Sequence, residues 1–142
     1  PMDSLKNVID YGVIGLLLAL SIWAVAVAVE RWLFYRLVDP AQFHDLHLFE
    51  IALTKRLVII GTIAANAPYI GLLGTVLGIM LTFQTMGTSG TMAVSTIMIG
   101  LSLALKATAA GLLVAIPCVV MNNVLRRRAN ELVTIFKSCH GT

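Results

Sequence analysis

Charge is what this sequence has least of. Only 12% of its 142 residues are Asp, Glu, Lys or Arg, against 58% hydrophobic, and the mean hydropathy is +0.91. A water-soluble domain of this length has too much surface to cover with so few polar side chains, which leaves lipid as the solvent for much of it. No charged residue occurs in residues 11–29, and none in residues 57–105. Cysteine is scarce too: Cys118 in an apolar stretch and Cys139 near the end suggest neither a disulfide framework nor a metal site. His44, His47 and His140 have no ligand constellation around them; His44 and His47 could share a helix face, but a solvated loop is the preferred reading. There is no internal repeat and no low-complexity linker. The polar parts hold no acid/base pair, nucleophile constellation or phosphate loop, so neither an enzyme nor a cofactor site is expected. The mixed charge of residues 2–10, with no A-x-A-like site followed by a soluble domain, argues against a cleavable signal peptide. A pI near 9.2 invites a nucleic-acid reading. The cations sit beside apolar spans, where they set membrane topology, and that reading is rejected.

What is present is long apolar runs. A membrane helix needs roughly 20 apolar residues, so the first charge gap fits one crossing and the second is long enough for two segments. The first span covers residues 11–29 and ends at "ERWLFYR", with Trp32 and Tyr35 suited to the headgroup belt and Arg31 and Arg36 to the aqueous side. Pro40 stops any helix continuing from it. Apolar residues at Phe43, Leu46, Leu53 and Leu57 follow at near-helical spacing, which predicts an amphipathic helix running toward the membrane. Asn66-Ala67-Pro68 marks a helix boundary or kink. The second span then covers residues 68–86, "GTSGT" makes an uncharged turn, and the third span covers residues 92–122, long enough to tilt or project. Residues 30–67 form a loop and residues 123–142 a tail. Of ten Lys and Arg, four lie in that loop and four in the tail, against Lys6 at the start and Lys106 within a span. The positive-inside rule puts loop and C-terminus in the cytoplasm and the N-terminus outside. The expected fold is an all-α membrane protein of three transmembrane helices with helical cytoplasmic extensions.

Two faces stand out. Gly71, Thr75, Gly78, Thr82 and Thr85 recur at helical spacing on the second span, where Gly74 and Gly78 also make a GxxxG pair. Gly100, Ala104, Ala107/Thr108, Gly111 and Ala115 match them on the third. Small residues let helix backbones approach closely in lipid, and plain helix packing is the simple reading for these glycines. Membrane threonines can likewise bond their own i−4 carbonyls and do nothing else. Two such stripes on consecutive spans still predict a multi-helix assembly, since a lone chain would bury only part of them. Lys106 is the sharper signal. At a helix centre a lysine costs on the order of 2.5–3.5 kcal/mol, so it is expected to face a cavity, an anionic partner or the interface. Snorkelling along its four methylenes is the alternative. No acidic residue lies in the three spans, so a carboxylate partner would come from the loop acids or from another polypeptide. That points to a second subunit.

The stretches "NAPYIGLLGTVLGIM" and "ALKATAAGLLVAIPCVVMNN", with "ERW" after the first span, resemble the MotA/TolQ/ExbB proton-channel family, and most nearly its ExbB branch. The resemblance covers most of the chain. It implies a pentamer of three-span subunits in the bacterial inner membrane, ringed by lipid around an axial pore. An ExbD-like single-span subunit would sit inside, its aspartate taking up and releasing protons, and a TonB-like protein would receive the work for uptake across the outer membrane. The family's pore threonines match Thr75 and Thr108. A hydroxyl donates and accepts at once, so it can hold water or solvate a titrating carboxylate without adding charge. Leu101, Ala104 or Leu105, Leu112 and Ala115 would continue that wall. Gly71, Gly74, Gly78, Ala104 and Gly111 would pack the helices. The chain departs from the family in two places: Leu103 stands where many relatives carry a glutamate, and the first loop is short. Lys106, three residues on from Leu103, is expected near the partner's aspartate, pairing with its charge. A TolQ-like subunit of an envelope-maintenance motor and a passive scaffold for a partner helix are the other readings.

Overall fold

The computed structural model describes residues 2–90 and 93–140. Four helices account for nearly all of it: α1 (Met2–Leu37), α2 (Leu46–Thr54), α3 (Leu57–Ser89) and α4 (Val94–Cys139). Three of them, α1, α3 and α4, are long and apolar enough to cross a membrane. At 1.5 Å per residue the 46 residues of α4 reach about 69 Å, more than twice the hydrocarbon thickness. α3 and α4 form the largest contact, and α1 lies against both.

The short elements are set by side-chain caps. α1 stops at Leu37, and Asp39 opens a single 3-10 turn at Pro40–Gln42 by accepting a hydrogen bond from the Ala41 amide at 3.0 Å. Asp45 does the same for α2, accepting from the His47 amide at 2.9 Å. The expected single amphipathic helix is broken after Thr54. Lys55 is extended and Arg56 is left-handed at φ 69°, so the chain turns before α3 begins. The apolar positions still share one face: Phe49, Leu53 and Leu57 are fully buried, with Phe43 and Leu46 packed against them. A continuous helix would carry Phe49 away from the bundle. The turn folds α2 back, so that Phe49 sits between Phe43, 4.9 Å away, and Phe136 of α4, 5.0 Å away.

Pro68 does not bound a helix. α3 runs through it, as α4 runs through Pro117. Proline is tolerated in apolar helices where neighbouring helices and local adjustments compensate for the lost backbone bond, and Ala67 beside it is fully buried. The tail predicted after residue 122 is a continuation of α4, whose Leu125, Ala129, Leu132 and Phe136 stay buried at helical spacing.

Side chains in the core shrink along the bundle. One end packs Tyr35, Phe49, Leu53, Leu57, Ile60, Leu125 and Phe136 into a single cluster. Next come Ala24, Ile63, Ala64 and Cys118, and then Leu17, Ala67 and Ala115. Beyond these, glycine and alanine meet backbone to backbone, and the helices converge.

Candidate functional site

The convergence can be measured by asking what a methyl group would meet. A Cβ on Gly71 would lie 2.6 Å from the Ala107 carbonyl oxygen and 3.1 Å from the Gly111 Cα. One on Gly111 would lie 2.7 Å from the Ala67 carbonyl oxygen. Gly74 and Gly78 face the Ala107 and Ala104 methyls, each at 2.8 Å. Gly71, Gly74, Gly78, Ala104 and Gly111 therefore line one seam between α3 and α4. The two small-residue stripes bury each other within one chain. Thr85 and Thr108, on the same stripes, stay half-buried, so the lone chain leaves that edge partly bare, as expected.

This close approach gives Thr75 an unusual partner. Its hydroxyl donates across the seam to the Ala104 carbonyl at 2.9 Å, while its own i−4 carbonyl, Gly71, is farther away at 3.3 Å. Thr82 and Thr85 behave in the ordinary way, donating to the Gly78 and Leu81 carbonyls at 3.0 and 2.8 Å. The Thr75 hydroxyl also contacts that of Thr108. Either of these two hydroxyls can be the donor in that second bond. The result is a chain of two hydroxyls linking Thr108 and Thr75 to a backbone carbonyl. Thr75 is buried and Thr108 half-buried, so one end of the chain is enclosed and the other meets the surface. Leu105 and Leu112 flank Thr108 and are exposed, and Leu101 is half-buried. Ala104 and Ala115 are buried in helix contacts and do not line this edge.

Lys106 goes elsewhere. Two residues from Thr108, it stands on the opposite face of α4, in a groove against α1 with Asn7, Asp10, Tyr11 and Leu103. Asp10, one residue outside the first span, is a carboxylate of this chain that lines the same groove. The reading of "ERWLFYR" changes as well. Arg31 and Tyr35 are 3% and 2% exposed, and they hold the end of α2: Arg31 donates to the Ala52 carbonyl at 2.7 Å and Tyr35 to the Leu53 carbonyl. Those carbonyls belong to the last turn of a helix, where no intrahelical donor remains. Glu30 pairs with Arg31 at 2.5 Å and with Arg56 at 3.7 Å. Trp32 and Arg36 remain on the outward face, the guanidinium 4.8 Å from the ring centroid. The i, i+4 spacing of Arg31 and Tyr35 was the available signal.

The model of the MotA/TolQ/ExbB proton channel family matches residues 41–138. The chain is 49% identical to the biopolymer transport protein ExbB of Aquifex aeolicus, covering 99% of the chain and 95% of that protein. The chain belongs to the MotA/TolQ/ExbB proton channel family. A putative ExbB-like protein of Helicobacter pylori is 48% identical, over 96% of the chain and 91% of its own length. The Tol-Pal system protein TolQ of Pseudomonas aeruginosa is 38% identical over 59% of the chain and 36% of that protein. As a member of this family with three long apolar helices, the chain is an all-α, multi-pass membrane protein with an ExbB/TolQ-type role.

Proposed function

We propose that the chain is a proton-channel subunit of a TonB-energising complex in the bacterial inner membrane, powering uptake across the outer membrane. Its crossings lie at about residues 11–29, 68–86 and 92–122, N-terminus outside and C-terminus in the cytoplasm. Five copies ring an axial pore occupied by an ExbD-like helix, and a TonB-like protein takes up the work. The observation that supports this reading is the cross-helix bond of Thr75 to the Ala104 carbonyl, with Thr108 hydrogen-bonded to Thr75. In this arrangement the Thr108 edge turns toward the pore. Its oxygen is free to accept, so it solvates a protonated carboxylic acid of the partner helix. When that acid ionises, Thr108 rotates to donate to it. In neither state does Thr108 add a charge of its own to the pore, so this chain does not trap the proton. Each charge crossing 100 mV yields about 2.3 kcal/mol, so a few protons suffice for a conformational step. Lys106, on the opposite face of α4, takes no part in this pathway in our reading.

Thr75→Val and Thr108→Val test the proposal in the complex with its partners. Both are expected to assemble and to lose proton-driven uptake, while Thr82→Val, which removes only a bond to its own helix, keeps it. Full uptake in all three variants would leave a passive scaffold as the better description. The likeness to TolQ favours a second reading, envelope maintenance. Deletion that spares growth on a TonB-dependent iron source but causes detergent sensitivity would select it.

A further inference from the structure

α1 and α4 run in the same direction, packed against each other and against α3, and their charges fall into register. Asp10 stands 20 residues before Glu30 on α1, and Lys106 stands 20 residues before Arg126 on α4. At one end of the shared groove Val29 and Trp32 lie beside Val124 and Leu125. At the other, Asp10 and Lys106 line a cavity of about 250 Å³ with Asn7, Tyr11 and Leu103. The two opposite charges therefore share one depth, wherever the bilayer sits along the bundle. Lys106 is not at a helix end. α4 continues beyond it through three uncharged turns to Val94, so the ammonium cannot reach water by lying at the tip. Among the described residues, Asp10 is the carboxylate that lines its cavity. No direct ion pair joins the two in this structure. They flank the cavity from facing helices.

We propose that Asp10 and Lys106 form an interhelical charge pair that holds the N-terminal part of α1 against α4. Each neutralises the other at the edge of the hydrocarbon, the depth at which Asp10 precedes the first span and an unpaired charge is still disfavoured. Asn7 and Tyr11 supply hydrogen-bonding capacity around the pair, and Leu103 closes the apolar side. Lys106 is then a positioning residue that acts through α1, and it is answered by an acid of its own chain. This inference rests on membrane insertion alone and does not depend on proton conduction.

The test is a double-mutant cycle in the full chain co-expressed with its partners. It reads the yield of assembled complex and its thermal unfolding in detergent, with uptake recorded separately. Asp10→Asn and Lys106→Met should each lower the yield, by on the order of three- to ten-fold. The double variant should recover much of the worse loss, the reversed pair Asp10→Lys with Lys106→Asp should recover too, and Lys106→Arg should stay close to the parent. A merely structural role for either side chain predicts additive losses and no rescue by reversal. If Asp10→Asn is silent while Lys106→Met is damaging alone and in combination, the lysine answers another polypeptide and the proposal falls. If both single variants are silent, it also falls, and Lys106 is a snorkelling lysine. Yield and unfolding are read without transport, so a failed channel reading and a failed charge pair give different patterns.

Discussion

Gly71→Ala is a perturbation of one methyl group whose consequence can be followed from packing to function. The new Cβ would stand 2.6 Å from the Ala107 carbonyl oxygen and 3.1 and 3.2 Å from the Gly111 and Thr108 Cα atoms. All three are backbone atoms, so no rotamer change relieves the contact. A carbon–oxygen contact settles near roughly 3.3 Å, which requires α3 and α4 to part by about 0.7 Å at this level. Overpacking of this kind costs about 1–3 kcal/mol. Thr75 lies one turn along α3, and its bond to the Ala104 carbonyl starts at 2.9 Å. The same separation stretches it to about 3.6 Å, beyond hydrogen-bond range. The variant should therefore lose both thermal stability and uptake. Gly12→Ala and Gly87→Ala are the controls: a Cβ at either meets nothing within 4 Å, so each should be neutral or gain about 0.4–1 kcal/mol from the stiffer unfolded chain. Thermal unfolding of the purified complex and a proton-driven uptake assay read the two effects. Unchanged unfolding and uptake in Gly71→Ala, or equal damage in Gly12→Ala, would refute the argument that backbone contact at this seam positions Thr75.

Two further predictions concern the far end of the bundle. Tyr35→Phe removes the donor to the buried Leu53 carbonyl and should cost about 1–3 kcal/mol, read as a lower unfolding temperature and faster tryptic cleavage at Lys55 and Arg56. Arg56→Gly relieves a left-handed residue at a gain of about 1 kcal/mol and gives up a half-exposed ion pair to Glu30 worth less than about 1 kcal/mol. Its unfolding temperature should hold or rise, whereas Arg56→Val, which puts a β-branched residue in the same conformation, should lower it; the reverse order would contradict the strain at this turn.

How much of this was legible beforehand differs by residue. Thr75 and Thr108 were visible as hydroxyls on stripes of small residues, and the glycines around them as packing positions. Sequence could not separate Thr75 from Thr82, because both have an i−4 carbonyl within reach. The difference is that the seam brings a second helix's carbonyl closer to Thr75 than its own. Lys106 was visible as a charge in an apolar run; that it shares a groove with Asp10 follows only from the packing of α1 against α4. Arg31 and Tyr35 read as interfacial residues because their type suits the membrane boundary, yet α2 folds back and places two bare carbonyls beside them.

The sequence by itself determined that three long helices are buried in lipid, because hydrocarbon admits only stretches free of uncompensated charge, and the two charge gaps are long enough for three. It also determined which family the chain resembles and which hydroxyls and glycines belong to the second and third spans. Only the tertiary structure decided which faces meet: stripe against stripe within one chain, Lys106 in a groove beside α1 and away from Thr108, and α2 turned back at Arg56. Charge and hydropathy are scalar along the chain and report how deep a residue can sit. The direction a side chain points around its helix depends on what the neighbouring helix presents at that depth, and that is set only when the helices pack.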